Sequence, residues 1–457
     1  MKLSPFLFSF LLALSVSAST FSPDTPLESA DGGFDSLALE PSGEFPLSGR
    51  GVFNVNDYGA VADGKTENSL AFMAAWEEAC AFKGDSIFLI PEGTFLVAGV
   101  TFSGPCFNNL SPKVLIFATL IAPTKLTTDV WIHFHSLRHL LLTGLDGSAV
   151  LNGQGAQTWS FGSACRRRMT CPIFTTSLKL TDVSHAIVKD ISLVDSKGFH
   201  VAMHGCDHIH LYGFNITAPW NSQNTDGIHI SNSTNINVAN SHIGVGDDCV
   251  SIGPGSFDIL VSNIRCGPGH GISVGSLGRY KNEMDVIGIR VENCTISDTQ
   301  NGVRVKTWPG NYSSNAAHLT FRNIVMNNVS NPIIIDQRYC PNHSCDMKEL
   351  DIGRCVSENA GPKEDGLRDP TLVEEGNETF LIRSSSVKLS EMNMRNISGT
   401  YNTKLAVNID CSSTMPCNNI HLSYINLTAT HPPEKYELGR FNCMGALNTF
   451  TVLNSTF

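Results

Sequence analysis

Residues 224–274 read NTDGIHISNSTNINVANSHIGVGDDCVSIGPGSFDILVSNIRCGPGHGISV, and the periodicity of this stretch decides the fold. Three short segments, IHI at 228–230, VSI at 250–252 and ISV at 272–274, recur at intervals of 22 residues. Two positions ahead of each stands a polar group: Asp226, Asp248 and His270. Alternation of apolar and polar residues marks a strand with one buried face. Repetition of that unit at a nearly fixed period marks a solenoid, in which equivalent residues stack on successive coils about 4.8 Å apart. The three polar groups then share one face.

The unit continues in both directions. Val201, Ile228, Val250, Ile272, Val303 and Ile333 are corresponding positions, with gaps of 27, 22, 22, 31 and 30 residues, so the coils are tightest where the acids sit. Further β-rich segments, among them VLIF at 114–117, LLLTG at 140–144, AIVKDISLV at 186–194 and LTFRNIVMNNV at 319–329, are separated by Gly, Asn and Asp. Crossovers between parallel strands are right-handed. The pattern therefore predicts an all-β chain, a single-stranded right-handed parallel β-helix. A doubly wound α/β fold would need alternating amphipathic helices that the sequence lacks. One helix is expected, over 68–81, with Leu70, Met73, Ala74 and Trp76 as its apolar stripe and Lys83-Gly84 ending it. It should cap the first coil.

Residues 1–18 carry Lys2, the apolar run PFLFSFLLALSV and the small residues Val16-Ser17-Ala18, which is the pattern of a cleaved secretory signal. The run is too short to span a bilayer, which takes about 20 residues. Residues 19–48, rich in Ser, Pro, Gly, Asp and Glu, read as a flexible leader to a folded unit at 49–457. A soluble, extracellular monomer is expected. Net charge is −11, which argues against nucleic acid and anionic membrane as partners, so an acidic substrate would need a local basic site. Fourteen cysteines in such a chain favour disulfides over metal, and Cys165/Cys171, Cys340/Cys345 and Cys411/Cys417 are close enough for small loops. Spacing leaves the full connectivity open. Eleven Asn-x-Ser/Thr sites occur, including Asn109, Asn215, Asn293, Asn328, Asn396 and Asn426. Several are expected to carry glycans in a eukaryotic source; others, such as Asn232 and Asn293, read equally as turn or ladder asparagines. Residues 346–383 hold ten acidic and five basic residues and a lone Cys355, an acidic insertion before Val387 resumes the repeats. Arg166-Arg167-Arg168 is the strongest basic run and is either a polyanion contact or a solvated loop.

Asp247 adds a second carboxylate to the middle rung, and Arg304 and Lys306, alternating along one strand, share a face one coil on. Three carboxylates, a histidine and two cations then converge within about three coils. Crowded like charges raise a carboxyl pKa, which is how a carboxylic acid stays protonated as a general acid. Taken singly, Asp-Gly is a turn, Asp-Asp a solvated loop and Gly-His-Gly a tight corner. Turns alone do not require acids in this register. No calcium loop or phosphate-binding glycine motif occurs, so neither a metal nor a cofactor is expected.

The motifs Asn224-Thr225-Asp226, Asp247-Asp248, Gly269-His270-Gly271 and Arg304-Val305-Lys306 occur in that order. Together they resemble the NTD, DD, GHG and R-x-K pattern of the polygalacturonases of glycoside hydrolase family 28, over about 50–345 and 386–425. CGPGHGISVGSLGRYKNEMDV, NGVRVKTWPG and DQRYC are most similar to the plant, exo-acting, pollen-type branch. The resemblance implies a pectin-lyase-like solenoid that hydrolyses α-1,4 bonds between galacturonic acid residues of pectin with inversion. It implies Asp247 as general acid, Asp226 and Asp248 as the pair that holds the attacking water, and His270 as a group orienting the acid. Asp247, beside two anionic carboxylates, is expected to resist ionisation. The residues themselves leave open which carboxyl keeps the proton. Arg304 and Lys306 would clamp a galacturonate carboxylate, and Asn224 and Tyr339 would touch sugar, Tyr339 reading equally as a buried tyrosine. A non-catalytic pectin-binding β-solenoid and a calcium-dependent pectate lyase are the competing readings. The complete set of acids and cations opposes the first, and the paired aspartates with His270 oppose the second. Exo rather than endo action rests on the resemblance alone, and the 346–383 insertion departs from the family's spacing.

Overall fold

Val201, Ile228, Val250, Ile272, Val303 and Ile333 occupy a single ladder in the computed structural model, each paired in parallel with the next. The ladder runs back through Leu178 and Ile132 to Val100 and on to Val407, building an 11-stranded parallel sheet. From Leu178 to Val407 these side chains are wholly buried, one above the next. Burying each contributes about 1.5–3 kcal/mol, so the interior stack is the main support of the coil. A second, 18-stranded sheet supplies the other walls, and the chain alternates between the two as a right-handed parallel β-helix. The structure describes residues 51–160, 174–341, 384–412, 414–430, 441–444 and 450–456, all within the unit Gly49–Phe457. The signal and leader at 1–48, the stretch carrying Cys165, Cys171 and Arg166 to Arg168, Cys345 and the 346–383 insertion lie outside the described residues.

Coils turn at fixed register positions. At one corner of the larger sheet Asn240, Asn263, Asn293, Asn323 and Asn396 all adopt left-handed backbone, with φ between 47° and 56°. Asparagine tolerates that conformation better than other side-chain-bearing residues. The Asn323 amide donates to Asn293 at 3.0 Å and the Asn396 amide to Asn323 at 2.9 Å, so Asn293 is a ladder asparagine. Asn232 is a turn residue at another corner, with φ 46°.

The helix α1, Ser69–Ala81, lies where the pattern placed it but buries a different face. Phe72, Ala75, Trp76 and Ala79 point inward, while Leu70 is 84% exposed and Ala74 also faces solvent. Aromatic area explains the rotation. Phe72 packs edge-on to Phe88 and Phe95, and Trp76 meets Phe88, Phe102 and Phe134 with ring centroids 5.0–5.9 Å apart. The helix closes the apolar end of the first coil, and Cys80–Cys106 ties it there. Cys411–Cys417 forms the small loop its spacing suggests, and Cys249–Cys266 bridges a coil beside the acids. Cys340 is also disulfide-bonded. Among the described residues no helix is long and apolar enough to cross a membrane.

Candidate active site

Four consecutive strands of the smaller sheet carry the site: β1 (Ile228–Ser231), β2 (Val250–Ile252), β3 (Ile272–Leu277) and β4 (Asn301–Thr307). Asp226 stands in the turn entering β1, Asp247 and Asp248 in the turn entering β2, and His270 in the turn entering β3. Backbone bonds lock these turns to one another: Gly227 N–H donates to the Asp248 carbonyl at 2.9 Å and His270 N–H to the Asp247 carbonyl at 2.8 Å. Gly246 can only be glycine, since a Cβ there would lie 2.0 Å from the Ser222 carbonyl. That close approach brings the Asp226 turn onto the Asp247 turn, with Gly246 N–H donating to the Thr225 hydroxyl at 3.0 Å.

Residues facing away from the core on these strands form a second column, His229, Ser251, Ser273 and Arg304, in register. This column holds the acids. Ser251 donates to Asp226 at 2.7 Å, and Ser273 donates to Asp248 at 2.7 Å. Arg304 donates to the same Asp248 oxygen at 2.9 Å and Lys306 to the other at 2.8 Å. The Asp248 side chain is 1% exposed, against 11% and 8% for its two cations. Burial opposes its charge, but Lys306 and Arg304 overcome that and hold its pKa down at about 2. Asp226 lacks such cover. Burial first, then the charges of Asp247 and Asp248, push it well above the ordinary carboxylate range. A carboxyl that resists ionisation is thus found at Asp226, which is 6% exposed.

Asp247 stands further out, with a quarter of its side chain exposed, and its Oδ1 lies 3.0 Å from His270 Nδ1. Two adjoining cavities of about 600 and 1030 Å³ meet at this carboxyl, and Asn224, Ser276, Arg279 and Tyr339 line both. Asp226, Asp248, His229 and Lys306 face the first; His270, Trp220 and Trp308 face the second. Tyr339 is half-buried, with Lys306 5.2 Å from its ring centre and Trp308 edge-on at 5.8 Å. Arg304 lies behind Asp248 and lines neither cavity. Asp247, Asp248 and His270 each offer a ligand atom within 4.8 Å of the others. Both Asp248 oxygens are already taken by Ser273, Arg304 and Lys306, and the two cations oppose a divalent ion there.

Against this geometry, residues 80–354 and 373–442 match the family model for glycosyl hydrolases family 28. The chain belongs to glycoside hydrolase family 28. This hydrolase is 39% identical over 379 residues to an exopolygalacturonase of Platanus acerifolia, covering 82% of this chain and 90% of the relative. It is 39% identical over 362 residues to an exopolygalacturonase of Oenothera organensis, with 79% and 90% covered. Its coil superposes on the endo-xylogalacturonan hydrolase of Aspergillus tubingensis with a TM-score of 0.61 at 19% identity, over 89% of this chain and 96% of that one. That match shows the fold.

The family 28 site has members the motifs do not name. Ser251 and Ser273 are the middle residues of VSI and ISV, so strict alternation places them outward and could have found them. His229, the middle of IHI, stacks on Phe199 at 4.8 Å and lines the first cavity. Arg279 comes from the 278–285 segment between paired strands, where no apolar alternation marks which side chains face the cleft, and periodicity is silent about it.

Proposed function

We propose that this family 28 hydrolase is a secreted polygalacturonase that cleaves α-1,4 bonds between galacturonic acid residues of pectin from a chain end, with inversion. One observation carries the reading: Asp248 is fixed as an anion beside a proton-retaining Asp226, and Asp247 faces the two cavities where they meet. Glycoside hydrolysis needs a proton for the leaving oxygen and a carboxylate to activate water. Asp247 gives the proton, and His270 holds its carboxyl in place. Asp248 orients the water, and Asp226, once ionised, takes its proton; the high proton affinity of Asp226 makes it the stronger base of the two. Asp248 is a poor nucleophile because both oxygens are tied in ion pairs, which favours direct attack by water and hence inversion. Lys306 meets a substrate carboxylate from the first cavity, Arg304 supports it from behind Asp248, and Asn224 and Tyr339 touch sugar. No cofactor enters any step.

Exo action is supported by relatives named exopolygalacturonases. Secretion is supported by the disulfides, which persist in oxidising compartments. Incubation with polygalacturonic acid and EDTA, followed by proton NMR in the first minutes, tests all of this. Monomer from the outset, in the β-anomer and without ultraviolet-absorbing unsaturated ends, is the expected outcome. An initial α-anomer establishes retention, mixed oligomers establish endo action, and calcium-dependent unsaturated product moves the chain to the lyases.

A further inference from the structure

The positive charge that the motifs supply to this cleft is largely committed. Arg304 donates to Ser273 at 3.1 Å and to Asp248 at 2.9 Å, and Lys306 donates to Asp248 at 2.8 Å, so both cations already serve an acid of the site. A substrate with one carboxylate on every sugar, entering a chain of net charge −11, needs positive charge that is not already paired. Arg279 offers it. Among the described residues no carboxylate forms an ion pair with its guanidinium, which is held instead between Trp308, 4.7 Å away, and Tyr280, 5.2 Å away. It is exposed, and it borders both cavities where they meet at Asp247.

The loop that carries it is braced. Glu283 accepts from the backbone N–H groups of Gly278 at 2.6 Å, Arg279 at 3.0 Å and Tyr280 at 2.7 Å, so its carboxylate staples the loop rather than neutralising the arginine. Cation–π contact with the two rings restrains the guanidinium, and among the described residues no acid takes its N–H groups. A planar fork of donors so presented matches a carboxylate in a two-bond geometry that a lysine cannot copy. Preorganisation of this kind lowers the ordering cost of binding.

We propose that Arg279 is a uronate-carboxylate-binding residue on the cleft wall, reading the acid group of the sugar bound beside Asp247 and setting the preference for free over esterified uronate. Glu283 is its positioning residue. The proposal rests on the polygalacturonase reading and names the residue that makes the site selective.

Arg279→Gln and Arg279→Lys test it in two formats. In turnover, Arg279→Gln is expected to raise KM for polygalacturonate about 10- to 100-fold, the loss of a charged hydrogen-bonded contact, with a smaller change in kcat. Its activity on highly methyl-esterified pectin should stay near wild type, so the preference for free acid collapses. Arg279→Lys should recover only part of the preference, and Glu283→Gln should weaken binding without abolishing it. In binding, calorimetry of trigalacturonate on Asp247→Asn, with and without Arg279→Gln, needs no catalysis. If wild type cleaves no pectic polymer but this binding still depends on Arg279, the activity reading fails and the inference stands. Wild-type KM and unchanged acid-to-ester preference in a folded Arg279→Gln protein overturn it, as does trigalacturonate binding that ignores Arg279.

Discussion

Replacing Asp248 by asparagine keeps the shape of the side chain and removes the charge on which Arg304 and Lys306 converge. The linkage between charge and folding sets a lower figure. Its pKa falls from an ordinary 3.8 to about 2 in the folded chain, and at 1.36 kcal/mol per pKa unit that shift amounts to about 2 kcal/mol. The variant also strands two cations that are 11% and 8% exposed, and breaking a buried pair from one side costs about 3–5 kcal/mol. Asp248→Asn should therefore lose about 3–5 kcal/mol at pH 5. The pH dependence has a definite sign. A carboxyl whose folded pKa is depressed stabilises the fold above its unfolded value, near 4, and loses that contribution as pH falls from there towards 2. The gap between wild type and Asp248→Asn should hold steady above pH 4 and narrow by about 2 kcal/mol by pH 2. Guanidinium unfolding followed by tryptophan fluorescence at steps between those pH values measures it. A difference below about 1 kcal/mol at pH 5, or one that does not change with pH, would falsify the claim that Asp248 is the anion clamped by the two cations.

Asp247→Asn should cut kcat by about 10²- to 10⁴-fold, the usual contribution of a general acid, and leave denaturant stability within about 0.5 kcal/mol of wild type. Turnover retained in that variant refutes its role. His200 is fully buried and its pKa is lowered to about 4 by burial. The unfolded chain charges it near 6.5, so its contribution of up to about 3 kcal/mol is complete above that pH and lost as pH falls towards 4. His200→Gln should flatten this part of the stability profile, and an unchanged slope argues against a neutral buried histidine. Gly275 has φ +111°, and a Cβ there would sit 2.1 Å from the Lys306 carbonyl. Gly275→Ala should displace Lys306, lower kcat/KM on polygalacturonate and destabilise the fold by about 1–3 kcal/mol; wild-type kinetics would show that the Lys306 position is unimportant.

Much of this architecture is legible in the chain because the interior ladder is apolar and regular. Counting from Val201 to Ile333 predicts a register that the strand pairs reproduce residue by residue. The acids are legible for the same reason, each being tied to the start of a strand. Side-chain direction is less so. Spacing places Arg304 and Lys306 on one face, but not that Asp248 turns back to meet both, nor that Arg304 is thereby drawn behind the acid. For α1 the spacing named Leu70, Met73, Ala74 and Trp76 as the inward stripe, whereas the phenylalanines of later strands draw in Phe72, Ala75 and Ala79 beside Trp76. The Cys249–Cys266 bridge joins residues 17 apart, a distance that means nothing until the path of the coil is known. Arg279 illustrates the limit most clearly, since it lies between the paired strands, outside any column of side chains fixed by strand register.

The two 22-residue coils have a consequence for how such clefts are remodelled. They are the shortest on this face and form its floor; the neighbouring coils, at 27, 31 and 30 residues, spend their surplus on segments beside Trp220, Arg279 and Trp308, which rise as banks on either side. Cleft topography is thus encoded as coil length, separately from the ladder that holds the coil together. Exchanging the segment between Leu277 and Val286 for one of another length transplants a bank and leaves the hydrogen-bonded register on both sides intact. Divergence in substrate length or decoration can therefore proceed by insertion and deletion at these points while the acids stay where they are.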